Sequence, residues 1–279
     1  WILNRNRLKV FDQRHEHNPN LFNQLTGEIT PQGERTMETL DALTGLRYKR
    51  GRLGLWVGAE GQVYEDFAPD IHVLPADFKI EPTWTRYRSI DFGYTNPFVC
   101  QWWAMDHDGR LYLYREIYMT RRTVNVHAEK INKLSEGEKI AFTVSDHDAE
   151  DRASLNESGI PTVIAQKDIS PGLQAIEERL KVTGDNKPRL YVIKGCLVEA
   201  DRCLYREFPG DTQPVNTEQE FTNYVWPDGK DGKPNKEEPM DFYNHGMDAM
   251  RYMVMALDKQ HSITGDTLRP EIADLWTRR

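Results

Sequence analysis

The sequence predicts a mixed α/β sheet flanked by helices on both faces and preceded by an irregular N-terminal segment, and three observations lead there. Three extended runs succeed one another from residue 85, the second and third joined by an Asp-Gly turn that marks a hairpin. Apolar, β-branched runs then alternate with helix-like stretches as far as residue 193. A last helical segment, over about 242–259, carries Met250, Met253, Val254 and Leu257 as a buried stripe.

Residues 1 to about 75 read as irregular and loop-rich. Glu16-His17-Asn18-Pro19-Asn20 and Ile29-Thr30-Pro31-Gln32-Gly33-Glu34 carry turn chemistry, the second leading into a helix over about 33–44. The runs 51–57 and 61–67 read as a short extended pair. Pro75 and Pro82, with polar residues between them, place a boundary at 75–84. The expected organisation is an N-terminal segment over 1–80, a main domain over 81–262 and a C-terminal tail over 263–279.

Within the main domain, strands are expected at 85–91, 98–104 and 110–118, with Asp106-His107-Asp108-Gly109 turning the second into the third. A helix over 123–134 leads to a strand at 140–146, and a helix over 149–158 leads to an extended run at 161–165. A helix over about 171–181 precedes a strand at 190–193. Three antiparallel strands followed by helix–strand alternation make the sheet mixed.

Composition sets the outer bounds. A chain of 279 residues with 38% hydrophobic and 29% charged content is an ordinary hydrated globular protein able to bury a substantial core. No run of about 18 apolar residues occurs, which excludes a membrane-spanning helix. The chain opens Trp1-Ile2-Leu3-Asn4 without an initiator Met or a signal-peptide pattern, which predicts an excised piece of a longer intracellular polypeptide. A net charge of −8 argues against a general polyanion binder, although carboxylates gathered for metals add negative charge of their own. Cys100, Cys196 and Cys203 form no CxxC pair, and Cys196 and Cys203, read as sharing a helix face, stand about 10 Å apart, too far for a bridge. A reduced, cytoplasmic setting follows.

Chemistry concentrates on three aspartates. Asp91 ends the run Tyr87-Arg88-Ser89-Ile90-Asp91 where a strand breaks into Phe92-Gly93-Tyr94, and the backbone at Phe92-Gly93 is expected to shape the site's entrance. Asp146 ends the strand 140–146, and Asp248 projects from the final helix. Two acids at the ends of neighbouring strands and a third on a helix across them form a cage for hard divalent cations. Two Mg²⁺ or Mn²⁺ ions held there activate a water and stabilise a leaving 3′ oxygen in phosphodiester hydrolysis, with no covalent nucleophile. Taken singly, an Asp after a strand is more often a turn former or a helix cap; the ordered set is what carries the reading. Asp148 is the alternative middle ligand, a second ligand or an orienting group, with a cap for the helix that follows it favoured over metal binding.

The runs Ser89-Ile90-Asp91-Phe92-Gly93-Tyr94-Thr95-Asn96-Pro97, Val144-Ser145-Asp146, Gln166-Lys167 and Asn244-His245-Gly246-Met247-Asp248-Ala249-Met250-Arg251-Tyr252, in that order, resemble the nuclease domain of tailed-bacteriophage terminase large subunits over roughly residues 85–260. The resemblance implies a ribonuclease H-like fold and a two-metal endonuclease cutting concatemeric viral DNA at the start and end of packaging. It also implies double-stranded DNA, the small terminase subunit, the capsid portal and an ATPase domain of the same polypeptide as partners, in the host cytoplasm. Arg14-His15-Glu16-His17-Asn18-Pro19 and Gly54-Leu55-Trp56 with Glu60-Gly61-Gln62-Val63-Tyr64 resemble the end of that ATPase. No Gly-x-x-x-x-Gly-Lys-Ser/Thr occurs in the chain, so the ATP motor is expected elsewhere.

Lys167, Arg121, Arg122, Lys230 and Lys233 are the candidate DNA contacts, each set against the alternative of a solvated surface charge. The Gly- and Lys-rich run 228–236 is expected to form a mobile hairpin tip beside Asp248. His147 and His245 are weighed as proton carriers and read as structural. Trp102, Trp103, Tyr112, Tyr114 and Tyr118 read as sheet packing rather than a base-stacking platform. Two competing functions remain: a DNA-positioning or portal-docking module whose cleavage is dormant, and a resolvase or transposase on the same fold.

Overall fold

The computed structural model describes residues 14–41, 52–53, 61–182, 184–207, 214–227 and 238–264. The chain divides into two compact units, Trp1–Asp66 with Val225–Met240 and Phe67–Tyr224 with Asp241–Arg279. Of the expected extended pair, 61–67 forms turns with a single bridge at Gln62 in place of a strand, and 51–57 lies outside the described residues apart from 52–53, as do Lys230, Lys233, the rest of the run 228–236 and the tail beyond Thr264.

In the first unit, α1 (Pro31–Asp41) is the main element. It begins two residues before the expected start at about 33: Thr30 Oγ1 accepts the Gly33 N–H at 3.0 Å and Pro31 stands at the first helical position, where a missing N–H costs nothing. Single bridges join Phe22 to Ile29 and Gln62 to Val225.

The second unit starts at Phe67. There α2 (Pro69–His72) runs into β1 (Val73–Leu74), which pairs in parallel with β7 (Leu190–Ile193). Between them in sequence lie β2 (Thr85–Asp91), β3 (Phe98–Met105), β4 (Leu111–Met119), β5 (Ile140–Ser145) and β6 (Val163–Ile164). The spatial order is β1-β7-β4-β3-β2-β5-β6, with β2, β3 and β4 antiparallel and β5 laid parallel to β2 on its free side. The mixed seven-stranded sheet expected from the sequence is therefore present.

Helices cover it as follows. One face carries α3 (Val124–Leu134) and α4 (Ala149–Glu157), and Ala128, Ile131 and Leu155 close over Ile90, Phe98, Cys100, Trp102, Ile117 and Met119. The other face carries α8 (His245–Thr264), laid across β2, β3 and β5, with α5 (Ile169–Leu180) packed against α8 and β7. Met250, Met253, Val254 and Leu257 are all buried, as their spacing required. Trp102, Trp103, Tyr112 and Tyr118 are buried in the sheet as well, so they pack and do not stack on bases.

Several edges moved, each for a local reason. Tyr243 adopts φ 54°, a left-handed conformation that an α-helix does not propagate through, and α8 starts at His245 rather than 242. Two short helices, α6 (Arg202–Glu207) and α7 (Thr217–Asn223), were not foreseen, because six or seven residues show too little period to read. Cys196 and Cys203 do not share a helix face: a turn at Lys194-Gly195 ends β7 just before Cys196, and Cys203 lies in α6. All three cysteines are free thiols. Among the described residues, no helix is long and apolar enough to cross a membrane.

Candidate active site

Strand alternation decides which way the first acid points. Along β2 the side chains turn to opposite faces in succession, so Ile90 joins the apolar cluster under α3 and α4 while Asp91 emerges on the side of α8. Parallel pairing then brings in the second acid. Ile90 stands in register with Ser145, and the Asp146 N–H donates to the Ile90 carbonyl at 3.1 Å, so β2 and β5 deliver Asp91 and Asp146 side by side at their C-terminal ends. Asp248 is in the first turn of α8, the helix that crosses these strands.

The chain leaves Asp91 through a tight loop. A Cβ on Gly93 would lie 2.5 Å from the carbonyl oxygens of both Asn96 and Pro97, so only glycine lets Phe92–Pro97 fold back this closely beside the site.

Each acid has its own cationic or hydroxyl partners. His245 Nδ1 lies 3.0 Å from Asp91 Oδ2, and the Tyr252 hydroxyl donates to Asp91 Oδ1 at 3.3 Å. Lys167 Nζ stands 2.5 Å from Asp146 Oδ1, and His147 Nδ1 stands 2.6 Å from the same oxygen. Arg251, one helical turn beyond Asp248, donates to Asp248 Oδ1 at 2.7 Å and to the Lys167 carbonyl at 2.9 Å. With 4% of its surface exposed, Arg251 fastens α8 to the stretch after β6 that presents Lys167.

The electrostatics follow from burial and crowding. Asp91 is pushed up to about 6, first by burial and then by the negative charges of Asp248 and Asp146, against the opposing pull of His245. Asp146 moves the other way: burial raises it, but Lys167 and His147 together outweigh burial and hold it below the ordinary carboxylate range. Burial lowers His245, yet Asp91, Glu220 and Asp248 more than offset this and leave it raised.

The remaining candidates fall elsewhere. Asp148 Oδ1 accepts the N–H groups of Glu150 and Asp151 at 3.0 Å each, the geometry of a helix N-cap for α4. Arg122 is paired with Glu199 at 2.9 Å, and the Arg121 N–H donates to the Tyr94 carbonyl at 2.7 Å. Lys167, by contrast, is brought onto an acid of the triad. Sequence reasoning had set His245 aside and gave no role to Arg251 or Tyr252. The signal was there in retrospect: in His-Gly-Met-Asp-Ala-Met-Arg-Tyr, positions 245, 248 and 252 recur at three and four residues, one face of a helix.

Three hard-oxygen carboxylates with mutual repulsion are a donor set of the kind that Mg²⁺ or Mn²⁺ takes. As the side chains stand, no three His, Cys, Asp or Glu residues among those described are spaced to hold an ion. The donor set fits a hard divalent ion in its chemistry.

A meander of three antiparallel strands with β5 laid parallel beside its first strand is the sheet of a ribonuclease H-like fold. No family model and no curated protein matches the chain. Solved structures do. The large terminase of a thermophilic bacteriophage, in complex with ADP, is 25% identical with TM-score 0.61, the match covering 81% of this chain and 52% of that one. A second crystal form of the same terminase gives TM-score 0.62 at 25% identity, over 82% and 52%. The nuclease domain of the phage P22 large terminase matches over 72% of this chain and 94% of that domain, with TM-score 0.52 and 15% identity, a likeness of fold. The chain spans about half the length of the full terminases it matches. Over the nuclease-domain region the chain is similar to solved phage large terminases, as the sequence resemblance implied.

Proposed function

We propose that this chain is a divalent-metal-dependent DNA endonuclease, the nuclease part of a viral genome-packaging terminase. The observation that carries the reading is the delivery of Asp91, Asp146 and Asp248 from two adjacent strand ends and a crossing helix, close enough that Asp146 and Asp248 both raise the Asp91 carboxyl. Asp91, Asp146 and Asp248 would hold two Mg²⁺ or Mn²⁺ ions, which supply a nucleophilic water and neutralise the leaving oxygen when bound. Water oxygen bonds to phosphorus, the P–O3′ bond breaks, and the 3′ oxygen leaves as a hydroxyl. Tyr252 and His245 hold both oxygens of Asp91, so that carboxylate is oriented before anything binds. Arg251 does the same for Asp248.

Lys167, 40% exposed at its side chain, supplies positive charge beside the acids for a DNA phosphate; Arg121, Arg122, Lys230 and Lys233 are the further contacts of this reading. Double-stranded DNA, the small terminase subunit, the portal and an ATPase domain of a longer polypeptide are its partners, and the host cytoplasm its place. In the same reading, 1–80 is the end of that ATPase with its linker, 81–262 the nuclease and 263–279 a tail. The cation on Asp146 and on Asp248 also favours a second reading, in which the chain positions DNA and its cleavage is dormant until assembly.

Supercoiled plasmid incubated with the chain and Mn²⁺ or Mg²⁺ tests both. Nicking that disappears in Asp91→Ala supports the nuclease. Absence of nicking across metals and salt, with Mn²⁺ still raising the melting temperature, selects the dormant module; nicking unchanged by Asp91→Ala rejects the site. Branched substrates cut in preference to linear ones would point to a resolvase.

A further inference from the structure

Behind the three aspartates lies a second, fully buried set of polar side chains that the proposed chemistry does not use. Ser89, Gln101 and Glu116 are direct cross-strand neighbours on β2, β3 and β4, forming a polar row across the middle of the sheet, and all three are 0% exposed. Thr217 and Glu220, from the first turn of α7, are equally buried above that row. Burying two carboxylates is costly unless every oxygen finds a partner.

The partners all lead to one place, the first turn of α8. Glu220 Oε2 accepts the Met247 N–H at 2.9 Å, while its Oε1 accepts the Tyr118 hydroxyl at 2.7 Å. Gln101 Nε2 donates to the Gly246 carbonyl at 2.9 Å and to Thr217 Oγ1 at 2.7 Å, and Ser89 Oγ donates to Gln101 Oε1 at 3.2 Å. Thr217 in turn donates its hydroxyl and its backbone N–H to Glu116, the latter at 3.1 Å. The approach is close enough to dictate the residue at 246: a Cβ there would lie 2.2 Å from Thr217 Oγ1 and 2.8 Å from Glu220 Oε2. Glycine at 246 is therefore the sequence mark of this contact. A buried carboxylate at the first turn also meets the positive end of the helix dipole.

Gly246 and Met247, the two residues gripped, are flanked by His245 and Asp248, the two that face the site. We propose that Glu220, backed by Gln101, Thr217 and Glu116, is a positioning residue that clamps the first turn of α8 and so fixes His245 and Asp248 against Asp91. Its consequence for metal use rests on the nuclease reading; the clamp itself does not.

Hydrogen exchange in the first turn of α8, measured on the whole chain, tests the clamp. Glu220→Ala leaves the Met247 N–H unpaired, so exchange over residues 245–249 should quicken about 10- to 100-fold while the sheet and the later turns of α8 stay as in the parent. Glu220→Gln can accept the Met247 N–H and donate to a turned Tyr118 hydroxyl, so it should restore most of the protection. If Glu220→Ala does not fold, Tyr118→Phe, which removes one O–H and no bulk, should show a smaller quickening in the same turn. Ile131→Val, on the opposite face, serves as a control that loosens the core without touching α8. Exchange over 245–249 equal to the parent in Glu220→Ala and Tyr118→Phe, or a rise spread over the whole sheet as in Ile131→Val, overturns the clamp. In parallel, the Mn²⁺ concentration for half-maximal nicking should rise about 10-fold or more in Glu220→Ala and stay at the parent value in Ile131→Val. A parent that shows neither nicking nor Mn²⁺ binding removes the nuclease reading, and the exchange data still decide the clamp.

Discussion

On the side of the sheet covered by α3 and α4, strands β2, β3 and β4 set Ile90, Cys100 and Ile117 next to one another; one residue back on β2, on the side of α8, the corresponding neighbours are Ser89, Gln101 and Glu116. Both rows are buried. The first stabilises by removing apolar surface from water, at roughly 25 cal/mol per Å². The second must replace every hydrogen bond to water with one inside the protein, and it spends those bonds on the start of a helix that carries a site acid. One face therefore gives stability and the other gives position. Substitutions on the two faces should separate the two properties.

The largest contrast is expected at Asp91. Asp91→Asn should abolish metal-dependent nicking of plasmid DNA while raising the melting temperature at pH 7.5, because a carboxylate pushed up to about 6 is ionised there at a cost of order 3 kcal/mol. Loss of both activity and stability would place Asp91 among structural acids instead. Trp102→Ala on the apolar face should do the reverse, costing about 3–5 kcal/mol by denaturant unfolding. Its nicking rate per folded molecule should change little.

Arg251→Ala should reduce nicking about 10- to 100-fold, since it frees Asp248 and the Lys167 backbone together. Arg251→Lys should recover little of that, because one ammonium does not reproduce two guanidinium contacts. Plasmid assays at several Mn²⁺ concentrations would show whether the loss lies in metal use.

A pH series compares the faces without mutation. Burial pushes Glu116 up to about 7 and Glu220 up to about 8, both on the polar face. Raised folded values mean that the stability held by the protonated forms is fully present below the unfolded values near 4 and is lost as pH rises through 7 and 8. His127, on the apolar face and pushed down to about 4 by burial and the nearby Arg122 and Lys130, works in the opposite direction only below about pH 6.5. Metal-free melting temperature should therefore fall between pH 6.5 and 8.5, by several degrees, and fall less in Glu116→Gln; a flat profile would mean that those carboxylates are better solvated than their burial implies.

The smallest effect is reserved for Asp148. Its loss in Asp148→Ala should cost about 1 kcal/mol as a missing N-cap of α4 and leave nicking intact. Asp146→Ala should abolish nicking, and the pair of results separates the two acids.

Much of this molecule is determined by local sequence. Alternation and Asp-Gly placed β2, β3 and β4, and a three- and four-residue stripe placed the buried face of α8, because periods of two and of 3.6 residues are properties of the chain itself. The placement of the three acids was legible for the same reason: Asp91 ends a strand, Asp146 follows one, and Asp248 falls within a helix. What local sequence leaves open is which strands become neighbours and what faces what across the interior. Tertiary structure alone laid β5 beside β2, put Lys167 on Asp146 and brought Arg251 to the Lys167 carbonyl. Glu220 was invisible for the same physical reason. A glutamate in a seven-residue helix looks like any solvated charge until the fold buries it against Tyr118 and the Met247 amide, 102 and 27 residues away in sequence.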